Sequence, residues 1–152
     1  TTTNANFTAA GTTTLTNNAT VSTGTGNVTF TGAVDGAKDL VVNSTGTTLF
    51  SAAVGGTTGL SSLTTNAGGT VTLQNVNTTG AQSYGENATL NGTSYTTANA
   101  TFLASGTTTL TNNATVSTGT ANVTFTGAVD GGQALTVNST GATLFSGYWN
   151  AP

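Results

Sequence analysis

Residues 11–51, GTTTLTNNATVSTGTGNVTFTGAVDGAKDLVVNSTGTTLFS, recur as 106–146, GTTTLTNNATVSTGTANVTFTGAVDGGQALTVNSTGATLFS, 95 positions later. A chain that repeats itself at this length must use a fold in which one unit can stack on the next. The match reaches weakly back to Thr1 against Thr96, which divides the chain into a unit 1–95, a partial unit 96–146 and a non-repeat tail or cap 147–152. Ninety-five residues exceed one supersecondary element, so smaller steps are expected inside the unit. Runs ending in glycine or asparagine suggest Val28–Gly46, Thr47–Gly69, Thr70–Gly92 and Thr93–Asn122, steps of 19, 23, 23 and 30 residues.

Within those steps the pattern alternates with period two. Val28-Thr29-Phe30-Thr31 and Val71-Thr72-Leu73 place apolar residues on one face and threonine on the other, as a half-buried strand requires. Leu40-Val41-Val42 is ambiguous until its copy, Leu135-Thr136-Val137, shows that position 41 accepts a hydroxyl and points outward. Phe7, Leu15, Val21, Val28, Phe30, Val34, Leu40, Val42, Leu49 and Phe50 all return unchanged 95 positions on and form the expected core. Asp35-Gly36 and Asp130-Gly131 are turn dipeptides, and Asn17-Asn18 and Asn112-Asn113 are suited to bond their own backbone or to stack between coils. No helix signal interrupts them. The expected fold is therefore all-β, a β-solenoid of irregular coils of about 19–30 residues, with roughly seven coils giving a rod of about 30–35 Å.

Composition narrows the function. Thr, Gly and Asn number 41, 21 and 17 of 152 residues, which leaves one Lys, four Asp and Glu, and no His, Cys or Met. Catalysis and metal binding draw mostly on those missing groups, so no enzyme, no metal site and no cofactor are expected. The net charge of −3 provides no basic surface for nucleic acid or an anionic membrane. No apolar run is long enough for a membrane helix, and the first residues lack the pattern of a signal peptide. The chain is accordingly expected to be a processed product or a piece of something longer. Disorder is disfavoured too, because the composition is poor in charge and Pro and rich in strand formers.

The stretch NVTFTGAVDGAKDLVVNSTGTTLFSAAVGGTTGLSSLTTNAGGTVTLQNVNTTGAQSYGENATL resembles the tandem repeats of large secreted bacterial surface proteins. FTGAVDG, TTNAGGTVTL and GAQSY are its most telling phrases. The chain up to Ser146 is thus similar to filamentous-haemagglutinin-like adhesins and related β-strand-repeat exoproteins, many of them exported by two-partner secretion. That resemblance implies a right-handed parallel β-helix serving as the shaft of an extracellular fibre at a bacterial cell surface, with binding or anchoring activity mainly in other segments.

Three motifs compete with a purely structural role. Asn-x-Ser/Thr occurs at 11 of the 17 asparagines, and Asn18, Asn43, Asn113 and Asn138 are candidate glycosylation sites. Asparagine at turns followed by threonine in strands accounts for the same pattern. Thr14/Thr16, Thr23/Thr25 and Thr29/Thr31 suggest an arrayed hydroxyl surface for ice or glycans, but the unequal coil lengths argue against a common register. Asp35, Lys38 and Asp39 form the only local charged cluster; the second copy keeps only Asp130, so an exposed ion pair is expected there rather than a glycoside-cleaving site. Tyr148 and Trp149 stand where repetition stops and are candidate assembly contacts. The expected role is a structural shaft or interaction module of an extracellular adhesin or matrix fibre. Its partners would be a second copy end to end, a longer repeat protein, or host or matrix glycans.

Overall fold

The computed structural model describes residues 1–66 and 68–150. Every paired strand is parallel, and the described residues contain strands without helices. The chain winds through three faces in a fixed order. Face A stacks seven strands, Phe7–Ala9, Val28–Phe30, Thr47–Phe50, Thr70–Leu73, Asn87–Leu90, Thr108–Leu110 and Val129–Asp130. Face C stacks seven more, Ala19–Gly24, Asp39–Ser44, Ser62–Thr65, Gln82–Tyr84, Phe102–Ala104, Val123–Phe125 and Thr143–Phe145. Face B joins Thr13–Thr14 to Val34–Asp35, continues through single bridges at Val54, and resumes as Val76–Thr78, Ser94–Thr97, Ala114–Gly119 and Leu135–Ser139. The molecule is a β-solenoid of about seven turns.

Alternation along each strand fills the interior. Val28, Phe30, Val34, Leu40, Val42, Phe50, Leu63, Val71 and Leu73 are buried, as are Phe102, Val116 and Phe125. Leu49 is a correction to the expected core. It lies between two buried neighbours, Thr48 and Phe50, so alternation turns it outward into register with Thr29 and Thr72. Its copy Leu144 is 53% exposed.

The coil lengths are also corrected. Paired residues on face A run Phe7, Val28, Thr48, Val71, Ala88, Thr108 and Val129, steps of 21, 20, 23, 17, 20 and 21 residues. The 30-residue step expected after Thr93 does not exist, because Asn99 and Gly106 mark two different corners that the sequence division had merged. Steps of 17 to 23 residues have a further result, because they do not bring position 95 back to the same face. Phe7, Phe30 and Phe50 stack on face A with ring centroids 5.7 and 5.1 Å apart, while their copies Phe102, Phe125 and Phe145 stack on face C at 5.4 and 5.1 Å. Strands of face C likewise reappear on face B, and Val34–Asp35 of face B reappears as Val129–Asp130 on face A. One 95-residue unit therefore makes about four and two-thirds turns rather than a whole number.

Corners are built from glycine, asparagine and inward hydroxyls. Gly36 and Gly131 both adopt φ +121°, so the two Asp-Gly turns have the same backbone. Asn4 and Asn99, one unit apart, both take left-handed conformations, which asparagine tolerates better than most residues. Where a corner interrupts the strand ladder, an N–H of the next coil would lose its partner. Asparagine carbonyls fill that role: Asn27 N donates to Asn6 Oδ1 at 2.9 Å, Thr47 N to Asn27 Oδ1 at 2.9 Å and Thr107 N to Asn87 Oδ1 at 2.9 Å. On the inner side, the buried Thr23 and Thr118 hydroxyls donate to Gly26 O and Ala121 O at 2.6 and 2.7 Å. A buried threonine is tolerated here because its one strong donor is satisfied.

Candidate functional site

Glycosylation-type asparagines divide by what their amides do. Asn18 uses both amide atoms, accepting from Asp39 N at 3.1 Å and donating to Asp39 Oδ2 at 2.9 Å. Asn113 accepts from Ala134 N at 3.0 Å, and Asn138 Nδ2 lies 3.4 Å from Ser117 Oγ. Asn43 stands exposed on the outside of face C. Three of the four candidates are therefore tied into contacts between coils. At Asn18 and Asn113 the motif arises because a corner needs the amide while the following strand favours threonine, whereas Asn43 and Asn138 lie within strands.

The charged cluster is engaged by neutral groups. Asp35 Oδ1 accepts Thr57 N and Thr58 N at 2.8 and 3.0 Å, and Asp39 Oδ1 accepts Ser62 Oγ at 2.7 Å. Both carboxylates thus hold the next coil, where the sequence suggested an ion pair with Lys38. Among the described residues no group of three His, Cys, Asp or Glu is placed to hold a metal ion.

Threonine behaves differently from the expectation. Thr23 is buried at a corner and Thr14 lies on face B, so those pairs do not form one surface. Face A nevertheless aligns Thr8, Thr29, Leu49, Thr72, Thr89 and Thr109 in a continuous outward row, each paired in register with the next. Differences in coil length are absorbed at the corners, which leaves the strands level. Five of these six positions carry a hydroxyl, spaced about 4.8 Å from one coil to the next. Thr72, Thr89 and Thr109 could not be joined to Thr29 from the sequence, since only cross-coil pairing reveals them as neighbours. At the adjoining corner between faces A and B, a cleft of about 320 Å³ is lined by uncharged groups including Ser51, Gln74, Asn75, Asn91 and Thr93.

The largest buried polar side chains among the described residues lie in the middle coils. Gln82, from the GAQSY phrase, is fully buried; its Nε2 donates to Thr96 O at 2.9 Å and its Oε1 accepts the Tyr84 hydroxyl at 3.1 Å. Tyr95 donates to Leu73 O at 3.1 Å and accepts from Gly92 N at 2.9 Å. Nearby, Glu86 points inward at the corner between Tyr84 and Ala88 and is 4% exposed, with Oε2 lacking a hydrogen-bond partner. Gly106 of the next coil stacks on the Glu86–Asn87 backbone, where an added Cβ would lie 2.6 Å from Glu86 C and from Asn87 N.

Burial pushes the Glu86 carboxyl up from 4.5 to about 7, with Thr65 and the Gly85 and Glu86 backbone only partly offsetting the effect. The folded chain then holds this proton where the unfolded chain has released it. Stability from this group is greatest below pH 4.5, declines as pH rises and levels off above about 7. Glu86→Gln should abolish that decline, leaving stability similar at pH 4 and raising it at pH 8 by as much as ~3 kcal/mol. Urea titrations of both proteins at the two pH values measure it.

The C-terminal tail follows the repeat in backbone although not in sequence. Trp149 bridges Val129 as Val54, one unit earlier, bridges Val34. Val129 N donates to Tyr148 O at 2.8 Å and Asn150 N to Val129 O at 2.9 Å, matching Val34 N to Ala53 O at 3.1 Å and Gly55 N to Val34 O at 2.7 Å. Trp149 also packs its edge on Phe145 at 4.8 Å and remains 39% exposed, while Tyr148 is 89% exposed. Residues 151 and 152 lie outside the described residues. No protein-family model matches the chain, and no curated protein or solved structure matches it either.

Proposed function

We propose that this chain is a non-catalytic shaft module of an extracellular bacterial adhesin or matrix fibre. The observation that carries this reading is the pair of seven-strand parallel ladders on faces A and C, wrapped around one apolar core. A ladder of this kind distributes load over many backbone hydrogen bonds, and its length grows with the number of coils. The repeat style shared with filamentous-haemagglutinin-like exoproteins supports the cell-surface setting. Uncharged hydroxyls and amides on the outside would keep such a rod soluble with little charge. Partners under this reading are neighbouring coils, in a longer repeat protein or in a second copy docked end to end, with Tyr148 and Trp149 at one such contact.

Chains carrying further 95-residue units should lengthen by ~22 Å per unit, taking ~4.8 Å per turn. Small-angle scattering on chains with one to four units checks this. A length that fails to increase with unit number would overturn the shaft reading. Electron microscopy across concentrations separates a shaft from a filament subunit, because a strictly monodisperse short rod sinks the subunit variant.

A second reading is favoured by the threonine row on face A, a level hydroxyl surface suited to ice or to a neutral glycan. Thr89→Tyr, within the row, would break that surface without touching the core. Thermal hysteresis or glycan binding lost in this variant would support the reading. Their absence in the parent chain at millimolar concentration would remove it.

A further inference from the structure

Three successive coils turn the corner between faces A and B with different numbers of residues. Phe50 and Val54 are separated by three residues, Leu73 and Val76 by two, and Leu90 and Tyr95 by four, although Val54, Val76 and Tyr95 pair in line on face B. The middle coil takes the short way round. Its neighbours stand proud on either side, and the cleft of about 320 Å³ lies in the notch between them. Further coils stack beyond both neighbours, so the notch belongs to the body of the rod. Its amides are oriented by the fold. Asn75 Oδ1 accepts Thr93 N at 2.8 Å and Ser94 N at 3.1 Å. Backbone N–H groups only donate, so this atom is the carbonyl oxygen and Nδ2 keeps both hydrogens for another partner. Asn91 Oδ1 in turn accepts the Thr111 hydroxyl at 2.6 Å and Asn112 Nδ2 at 3.4 Å, which leaves its own Nδ2 to donate. Gln74 and Ser51 add an amide and a hydroxyl that have no hydrogen-bond partner among the described residues.

We propose that this notch is a binding site for an N-acetylhexosamine unit of a neutral glycan. An acetamido group carries a carbonyl that accepts from the Asn75 and Asn91 amides and a methyl that packs on the small apolar surface of Ala52 and Ala53. The ring hydroxyls then serve Gln74 and Ser51, each able both to donate and to accept. Every residue lining the cleft is uncharged, so an anionic sugar would lose water without meeting a cation. A wholly apolar ligand fits no better, because it would strip the amides of water and return no hydrogen bond. The volume lies near the lower end of the roughly 300–1,000 Å³ typical of ligand sites, which suits a short saccharide. This goes beyond a shaft role, which stands whether or not the notch is filled, and it does not rest on the threonine row of face A.

The full chain, labelled with nitrogen-15, is titrated with N,N′-diacetylchitobiose and with cellobiose, which has hydroxyls in place of the acetamido groups. Saturable shifts of the Gln74, Asn75 and Asn91 side-chain amide signals are expected with the first sugar, at a Kd of about a millimolar, and binding about fivefold or more weaker with the second. Gln74→Ala, at a half-buried position with no hydrogen bond to lose, should weaken binding about threefold or more and leave the urea midpoint unchanged. Asn75→Asp keeps the oxygen that holds Thr93 and Ser94 but deletes the Nδ2 donor, and should weaken binding about tenfold. Thr29→Tyr, on the face A row two coils from Thr72, should bind as the parent does. No saturable shift at tens of millimolar sugar, equal affinity for cellobiose, or full binding by Gln74→Ala and Asn75→Asp would overturn the proposal. Binding lost in Thr29→Tyr but kept in both cleft variants would overturn it as well, by placing the sugar on the face A row.

Discussion

Gly36→Ala should destabilise the solenoid by roughly 3 kcal/mol or more, whereas Gly132→Ala should cost only about 1–2 kcal/mol. Gly36 sits at φ +121°, a region that side chains rarely enter, and a Cβ there would lie 2.3 Å from Leu15 O of the preceding coil. Strain and overlap therefore act together. Relief would require two stacked coils to separate, and each is held by ladders on three faces. Gly132 also has positive φ, +61°, but nothing lies within 4 Å of its added Cβ, and the first unit already carries Ala37 at that position. Urea denaturation of the two variants measures the difference. Equal losses would mean that backbone conformation, and not the closeness of the coils, makes glycine necessary.

Phe102→Ala and Phe7→Ala should differ although the two phenylalanines are copies of one another. Phe102 is 1% exposed and contacts Tyr84, Tyr95 and Phe125, so its removal should cost about 3–5 kcal/mol through lost burial and a cavity. Phe7 lies in the first coil, covers Phe30 on one side only and is already partly exposed. Its loss should cost roughly 1–2 kcal/mol, because less apolar area leaves water when it packs. Thermal or urea melts of both variants decide the matter. Equal costs would show that the first coil is covered in solution as fully as the interior is.

Much of the fold was legible because a strand with one wet face writes its alternation into the sequence. Val28-Thr29-Phe30 and the substitution of Val41 by Thr136 identified inward and outward positions correctly. Leu49-Phe50 defeated the same reasoning, since adjacent apolar residues cannot both face in and only the backbone selects Phe50. Coil boundaries were harder. Glycine endings mark corners, but a three-faced coil has three of them, and a linear sequence does not say which corners belong to the same edge. For the same reason Thr29, Thr72, Thr89 and Thr109 could not be recognised as one row. The buried Glu86 was hidden as well. As the one Glu in a sparsely charged chain it has no acidic partner nearby in sequence to mark it, and its inward direction depends on the alternation Tyr84, Glu86, Ala88 continuing around a corner.

The fractional turn count of the repeat determines what the rod shows to its surroundings. With four and two-thirds turns per unit, each successive unit is rotated by a third of a revolution, and three units are needed before a given strand returns to its starting side. A long array built this way has no front or back. A sugar chain, an antibody or a neighbouring fibre approaching from any azimuth would meet the same sequence at a spacing of about fourteen coils. Bending resistance would be equalised in the same way, since no side accumulates the phenylalanine columns or the threonine row. A mutation fixed in one unit, such as the exchange of Lys38 for Gln133, alters the rod in one compass direction and leaves the other two as they were.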